Sequence, residues 1–159
     1  MAASGVDWKE IPYGNGVYLI TKDINGVAAL EKPPGILSQP NKKTDLNRSL
    51  LRAPFDLKKQ AYLVSRDEDE KRFLWLLNRL DSATSGLILV CESEELAKVL
   101  KDLFANRKVQ KKYHALAFGF TQESKQVWRD RMAVEKRGKN LRAKDEGGLM
   151  AESHMRRIK

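Results

Sequence analysis

The chain of 159 residues is poor in the residues that build covalent or metal frameworks. Its one cysteine, Cys91, excludes an internal disulfide, and with only two histidines it lacks the ligands for a clustered zinc site. No apolar run approaches the roughly 20 residues that a membrane-spanning helix needs, and the first ten residues contain neither a basic nor an apolar leader region. These absences predict a cytoplasmic protein without a metal centre.

Proline is also scarce, with five residues, and the chain is 42% hydrophobic and 32% charged. This composition argues against extensive disorder. A chain of this length can bury roughly 70% of the surface that its unfolded form exposes, so a real core is possible. We therefore predict one globular domain over residues 1–159.

Charge is distributed unevenly along the chain. Residues 1–106 hold 15 Lys and Arg against 15 Asp and Glu, whereas residues 107–159 hold 15 against 6. The whole net charge of +9 therefore lies in the last third. A concentrated basic surface attracts polyanions, which makes nucleic acid the first partner to consider. A lysine-rich solvated face or tail explains the same charge, and the charge alone does not separate the two interpretations.

The first half of the chain contains strand signals. Two apolar segments, 16–20 and 26–32, flank the turn-forming TKDIN and predict a hairpin or two adjacent strands. The prolines and Gly35 of KPPGILSQP then predict a tight turn. Residues 41–70 are polar and mixed, so we expect a surface segment with a short helix at 46–51 and no core.

The second half begins with two apolar runs of strand length, FLWLLN and GLILVCE. An amphipathic helix is predicted over SEELAKVLKDLFANRKV, with Ser93 as its N-cap. Its apolar stripe consists of Leu96, Val99, Leu100, Leu103 and Phe104.

The segment KKYHALAFGF alternates with period two and predicts a strand. Its packing face would carry His114, Leu116, Phe118 and Phe120. The other face is bare except for Tyr113, which either lines a cleft or lies against a helix with its hydroxyl at the rim.

Arg79 and Asp81 interrupt two apolar runs in LNRLDSATSGLILV. Taken alone, Asp81 followed by Ser82, Thr84 and Ser85 is the pattern of an Asx or Ser/Thr turn between strands, with Arg79 as a solvated neighbour. Such a turn needs no catalytic function.

The sequence R-L-D-x-x-T-S-G also resembles the active-site motif of the RluA-type pseudouridine synthases. EKPPGILSQP is similar to the Lys-Pro-x-Gly segment of that family, VQKKYHALAFG to its Lys-x-Tyr-x-Ala strand, and the predicted helix to the helix between them. The resemblance covers about residues 16–120. It implies a mixed α/β (α+β) catalytic domain with a largely antiparallel sheet flanked by helices.

The resemblance implies isomerisation of uridine to pseudouridine in structured ribosomal or transfer RNA, without a cofactor or metal. Asp81 would be the carboxylate at the sugar, with Thr84 and Ser85 as hydrogen-bond donors that keep it ionised. Arg79 would fill the space left by the flipped uridine, and Tyr113 would lie against its base. Lys32 would have a supporting or a phosphate-facing role, and a plain surface lysine explains the same position.

Two departures from the family pattern stand out. Asn78 replaces the usual histidine, and the basic Arg-x-His-Gln-x-Arg segment expected beyond the tyrosine strand is missing. The chain therefore resembles the N-terminal two-thirds of the catalytic domain. Arg142, Arg156 or Arg157 could replace the basic residue of the missing segment, but nothing in their spacing favours one of them. Alternative functions are a non-catalytic RNA-binding protein, an inactive synthase fragment and a basic structural protein. The oligomeric state is open.

Overall fold

The computed structural model describes residues 5–65, 71–137 and 140–158, without the side chains of 134–146. The chain divides into two compact units, residues 1–111 and 112–159. The expectation of a single domain stays a prediction. Most of the charge run at 66–72 and the side chain of Arg142 lie outside the described residues.

The first unit is built on a six-stranded sheet whose described pairs are all antiparallel. Its strands in chain order are β1 Tyr18–Lys22, β2 Val27–Lys32, β3 Phe55–Asp56, β4 Ala61–Leu63, β5 Phe73–Leu76 and β6 Gly86–Cys91. Their order across the sheet is β1-β2-β6-β5-β4-β3. This confirms the predicted mixed fold with a largely antiparallel sheet and the strand character of both apolar runs.

The predicted hairpin is β1 with β2. Asp23 closes its turn, because its Oδ1 accepts hydrogen bonds from the backbone N–H groups of Asn25 and Val27 at 3.0 and 2.8 Å. β2 then pairs along its whole length with β6, and Lys32 is the register partner of Gly86. This pairing brings the Lys-Pro-Pro-Gly segment beside the loop that contains Asp81.

The alternation of side chains along the central strands separates two apolar clusters. Leu30, Leu74 and Ile88 belong to the larger cluster, together with Trp8 and other residues from the N-terminal segment. The intervening strand residues Trp75, Leu89 and Cys91 belong to the smaller one. Successive strand residues point to opposite faces, so both faces of the sheet centre are covered.

The helix α1, Glu94–Ala105, covers the smaller cluster. The Ser93 hydroxyl accepts a hydrogen bond from the Leu96 N–H at 3.2 Å, which confirms the predicted N-cap. Leu96, Leu100 and Phe104 pack on the cluster. Val99 and Leu103 are exposed, so only part of the predicted stripe is buried.

The expectation that residues 41–70 contribute no core is wrong. A 3-10 helix spans Lys43–Arg48, slightly earlier than predicted, and the residues after it carry fully buried side chains. Leu50, Leu51 and Tyr62 are among them. Short apolar stretches between polar residues reach the core here because the N-terminal segment and the sheet close over them, which local polarity does not reveal.

The second unit contains a long antiparallel hairpin of β7, Lys125–Arg137, and β8, Asn140–Arg156. The strand predicted at KKYHALAFGF is not formed, and Leu116, Phe118 and Phe120 are exposed rather than packed. A strand needs the backbone groups of a neighbour. Among the described residues no segment pairs with 111–120, which accounts for this difference.

In the described part of the chain no helix is long and apolar enough to cross a membrane.

Candidate active site

The loop between β5 and β6 presents Asp81 at the surface. The backbone N–H of Thr84 donates to the carbonyl of Asp81 at 3.0 Å, which closes a turn at residues 81–84. Gly86 ends the loop with φ of +130°, a conformation that side-chain-bearing residues rarely adopt. The glycine of the R-L-D-x-x-T-S-G motif is therefore required by the backbone where the loop enters β6.

Lys32 connects this loop to the segment that follows β2. Its side chain is fully buried, and Nζ donates to the carbonyls of Pro33, Ile36 and Ser82 at 3.0, 2.7 and 3.2 Å. An ammonium has three donors, so these three carbonyls satisfy all of them. The backbone N–H of Gly35 donates to the same Ser82 carbonyl at 2.7 Å. Two hydrogen bonds thus hold the residue after Asp81.

The charge of Lys32 also acts on the site. Burial lowers the pKa of Lys32, and the negative charge of Asp81 opposes that shift. Lys32 is not a plain surface lysine, because its side chain is fully buried. Its role stays a prediction, and the burial of its ammonium among carbonyls favours the supporting role over the phosphate-facing one.

The Asp81 carboxylate differs from the other aspartates at turns. Asp23 and Asp56 each accept two backbone N–H hydrogen bonds, which lower the pKa of both groups. Within residues 5–65, 71–137 and 140–158, the exposed Asp81 carboxylate makes no hydrogen bond or ion pair. A side-chain-capped Asx turn is therefore not what the structure contains: the turn is closed by backbone groups, and the carboxylate is left available.

Arg79 and Asp81 are both exposed, while Leu80 between them packs against the larger apolar cluster. The expected hydroxyl donors do not contact the carboxylate. Thr84 contributes its backbone N–H to the turn, and Ser85 is exposed. The local structure thus presents one cation and one anion on either side of an anchored leucine.

Tyr113 belongs to the second unit and is 61% exposed. It lies in an irregular segment rather than on the predicted strand. Its role at the base stays a prediction.

The hairpin β7–β8 has two chemically different faces, as its pairing register shows. One face carries Lys125, Val127, Arg129, Arg131, Met150, Glu152, His154 and Arg156. The other carries Gln126, Trp128, Asp130, Met132, Leu149, Ala151, Ser153 and Met155. The first, which we call the cationic face, has four Lys or Arg side chains against one carboxylate, a pattern that favours an anionic partner.

Sequence reasoning missed several polar contacts of the site. Ser38 contacts the backbone of Leu80, and Asn78 contacts the backbone of β6. In the sequence, Asn78 stands out only because it replaces the usual histidine of the motif. Ser38 belongs to no repeating pattern of polar and apolar residues that would predict its contact with Leu80. In the described residues no cluster of three or more His, Cys, Asp or Glu side chains is placed to hold a metal ion.

Several curated proteins similar to this chain are named as RNA pseudouridine synthases. The chain is 35% identical over 103 residues to the ribosomal large subunit pseudouridine synthase C of Rickettsia bellii, covering 64% of this chain and 30% of the relative. It is 31% identical over 147 residues to the protein of that name in Rickettsia felis, covering 89% and 43%. The dual-specificity RNA pseudouridine synthase RluA of Haemophilus ducreyi is 32% identical over 95 residues, covering 60% and 37%. The chain thus spans less than half the length of these relatives.

A solved structure shows the same fold. The human RNA pseudouridylate synthase domain containing 4 superposes with a TM-score of 0.55 at 18% identity, over 86% of this chain and 51% of that one. The model of the RNA pseudouridylate synthase family matches residues 26–159, which include most of the first unit with the Asp81 loop and the whole of the second unit. This match covers more than half of the chain and agrees with the RluA-type resemblance of its motifs. The chain therefore belongs to the RNA pseudouridylate synthase family.

Proposed function

We propose that the protein isomerises uridine to pseudouridine at specific positions of structured ribosomal or transfer RNA. The observation that carries this proposal is the Asp81 carboxylate, which is exposed and has no partner among the described residues while its backbone neighbours are held. The family and the names of the relatives supply the reaction class. A cytoplasmic location stays a prediction.

Asp81 acts at the ribose in this proposal. Breaking the N1–C1′ bond of uridine generates an oxocarbenium-like sugar, which a carboxylate stabilises or captures. The base then turns over while it stays bound, and C5 joins C1′, so that no group is gained and no electron is transferred. Such a reaction needs an ionised carboxylate in reach of the sugar, and a carboxylate committed to a turn would not serve.

Arg79 and Tyr113 handle the base in this proposal. The target uridine has to leave its stack at a cost of a few kcal/mol, which an inserted side chain offsets. Arg79 is suited to this because its guanidinium is exposed and has no partner in the described part of the chain. Tyr113 offers an exposed ring to the uracil. Thr84 and Ser85, which lie in the same loop, are proposed contacts to the RNA, and Lys32 supports the loop.

RNA binding itself is assigned to the basic last third of the chain. The cationic face of β7–β8 supports this because it concentrates positive side chains on an exposed two-stranded ribbon. Phosphate contacts of this kind give affinity and orientation, while the loop with Asp81 carries the chemistry.

The decisive test compares two aspartates at turns. We expect Asp81→Ala to abolish new pseudouridines when stable RNAs are mapped in cells that lack their own copy of the gene. Among the described residues the Asp81 carboxylate makes no hydrogen bond or ion pair, and its charge acts on Lys32 only from beyond ion-pair distance, so the free energy of unfolding should stay within about 0.5 kcal/mol of wild type. The matched control Asp56→Ala should leave the pseudouridine map unchanged and lower the free energy of unfolding, since the Asp56 carboxylate accepts two backbone hydrogen bonds.

Other outcomes support the alternatives. If wild type and Asp81→Ala give identical maps, the catalytic assignment is wrong. Salt-sensitive RNA binding without modification would then indicate a non-catalytic RNA-binding protein. A loss of stability in Asp81→Ala, with no RNA phenotype, would indicate a structural turn.

A further inference from the structure

Ser38 makes two hydrogen bonds to the residue immediately before Asp81. Its Oγ accepts from the N–H of Leu80 at 2.9 Å and donates to the carbonyl of Leu80 at 2.6 Å. A hydroxyl has one donor and two acceptor positions, so both bonds form at the same time. The Ser38 side chain is buried. One side chain therefore fixes both backbone groups of Leu80.

Tyr62 holds Ser38 in turn. The hydroxyl of Tyr62 donates to the carbonyl of Ser38 at 2.8 Å, and its ring is fully buried on β4. The ring also packs edge-on against Phe55, with 4.8 Å between the ring centroids. Burial raises the pKa of Tyr62 well above its ordinary value, so the phenol stays protonated and remains a donor at neutral pH.

These contacts hold the chain on one side of Asp81, and other contacts hold it on the other side. Leu80 is bound by Ser38, and Ser82 is bound by Lys32 and Gly35. All three binding residues come from the segment that ends β2 and follows it. The carboxylate itself has no partner among the described side chains, so its position depends on the backbone at Leu80 and Ser82.

We propose that Ser38, supported by Tyr62, is a positioning residue that sets where the Asp81 carboxylate meets the ribose. This inference rests on the proposed function, in which Asp81 acts at the sugar. A displacement of about 1 Å of a reacting group can lower a rate about 100-fold. Loss of the Ser38 hydroxyl releases the Leu80 backbone and allows a displacement of this size.

The test compares two buried serines. Ser38→Ala removes the hydroxyl that binds Leu80. The matched control Ser49→Ala removes another buried hydroxyl, which donates to the carbonyl of Asp45 at 2.8 Å and makes no described hydrogen bond to residues 79–86. Tyr62→Phe provides a milder variant that keeps the ring packing. All are made in the full chain.

The first measurement is amide hydrogen exchange, which needs no RNA. We expect the Leu80 amide to exchange at least about 10-fold faster in Ser38→Ala, because its acceptor is gone, and to a smaller extent in Tyr62→Phe. Ser49→Ala should leave it unchanged. A wild-type exchange rate at Leu80 in Ser38→Ala overturns the inference. If Ser38→Ala does not fold, the result for Tyr62→Phe decides.

The second measurement is the single-turnover rate on a transcript containing the uridine found by mapping, at saturating protein and at a temperature where all variants are folded. We expect Ser38→Ala to lower this rate about 10- to 100-fold with little change in RNA affinity. Ser49→Ala should keep the wild-type rate even where it lowers stability. Equal rates in the two serine variants contradict the inference. Failure of the proposed function gives a different result, because Asp81→Ala then changes no RNA while exchange at Leu80 still responds to Ser38.

Discussion

At the scale of single residues, the side-chain amide of Asn78 makes the hydrogen bonds to β6 that a backbone peptide group would otherwise make. Its Oδ1 accepts from the N–H of Leu89 at 2.8 Å, and its Nδ2 donates to the carbonyl of Leu87 at 3.1 Å. The side-chain amide has the same donor and acceptor pair as a peptide group. Hydrogen bonding between the two strands therefore continues as far as Asn78. These bonds anchor the beginning of the loop that contains Arg79 and Asp81.

We expect Asn78→Ala to lower the free energy of unfolding by about 1–3 kcal/mol, because the partly buried N–H of Leu89 loses its acceptor. Chemical denaturation measures this. The control Asn47→Ala changes an exposed asparagine and should stay within about 0.5 kcal/mol of wild type. Equal effects of the two substitutions would show that the Asn78 bonds do not stabilise the fold.

The residue scale also shows why the two charged groups of the site differ. Lys32 is buried and fully paired, while Asp81 is exposed and unpaired among the described residues. A buried ammonium is tolerated only when its donors are satisfied. The cation thus holds the loop, whereas the anion is available for the proposed reaction.

At the scale of elements, the hairpin β7–β8 carries a hydrogen-bond network on its cationic face. Glu152 forms an ion pair with its register partner Arg129, with 2.7 Å between Oε2 and Nε, and its Oε1 is hydrogen-bonded to Nε2 of His154, also at 2.7 Å. The hydrogen bond from Arg129 and, next, that from His154 lower the pKa of Glu152 to about 2.

This pKa predicts a pH dependence of the hairpin. Because the folded value lies below the ordinary 4.5, the stabilisation from Glu152 is present above about pH 4.5 and is lost as the pH falls towards 2. Carboxyl NMR should give a titration midpoint for Glu152 well below 4. Arg129→Gln should raise that midpoint towards 4.5, whereas Arg131→Gln on the same face should change it little. A normal midpoint in wild type would contradict the network.

At the scale of the whole molecule, the net positive charge and the candidate catalytic residue Asp81 lie in different parts of the chain. Residues 1–106 are neutral overall and contain the Asp81 loop, whereas residues 107–159 carry the net charge of +9 and include the hairpin. Counterion release makes the affinity of such a basic segment for RNA depend on salt.

We expect log K for RNA binding to fall linearly with log salt concentration. Replacing the register partners Lys125 and Arg156 on the cationic face by Ala should make that slope shallower by roughly 1.5, since each phosphate contact contributes roughly 0.7–0.9. Fluorescence anisotropy with one transcript at several salt concentrations measures the slope. The control Lys22→Ala with Lys58→Ala, two exposed lysines of the first unit, should leave it unchanged. A slope equally reduced by both pairs would show that binding is spread over the whole surface.

Several elements could be predicted from local signals. The β1–β2 hairpin follows from alternation around a turn that Asp23 closes, and α1 follows from its apolar spacing and the Ser93 cap. The loop between β5 and β6 was recognisable because polar and glycine residues separate two apolar runs. Such signals depend on a few neighbouring residues, so no knowledge of distant contacts is needed.

Other features depend on contacts between distant parts of the chain, and the prediction failed at some of them. The core residues at 50–62 looked like surface because their neighbours are polar, and the strand predicted at 111–120 lacks a pairing segment among the described residues. The hydrogen bonds from Lys32 to Ser82 and from Ser38 to Leu80 also connect residues more than 40 positions apart.

The sequence by itself thus determined the family, the order of the main elements in the first unit and the motif around Asp81, since these are local patterns. Only the tertiary structure decided that Lys32 is inside, that the Asp81 carboxylate has no hydrogen bond or ion pair in the described part of the chain and that Ser38 holds the loop. The physical reason is that hydrogen bonding and burial at the site depend on the β2–β6 pairing, which joins segments far apart in the chain.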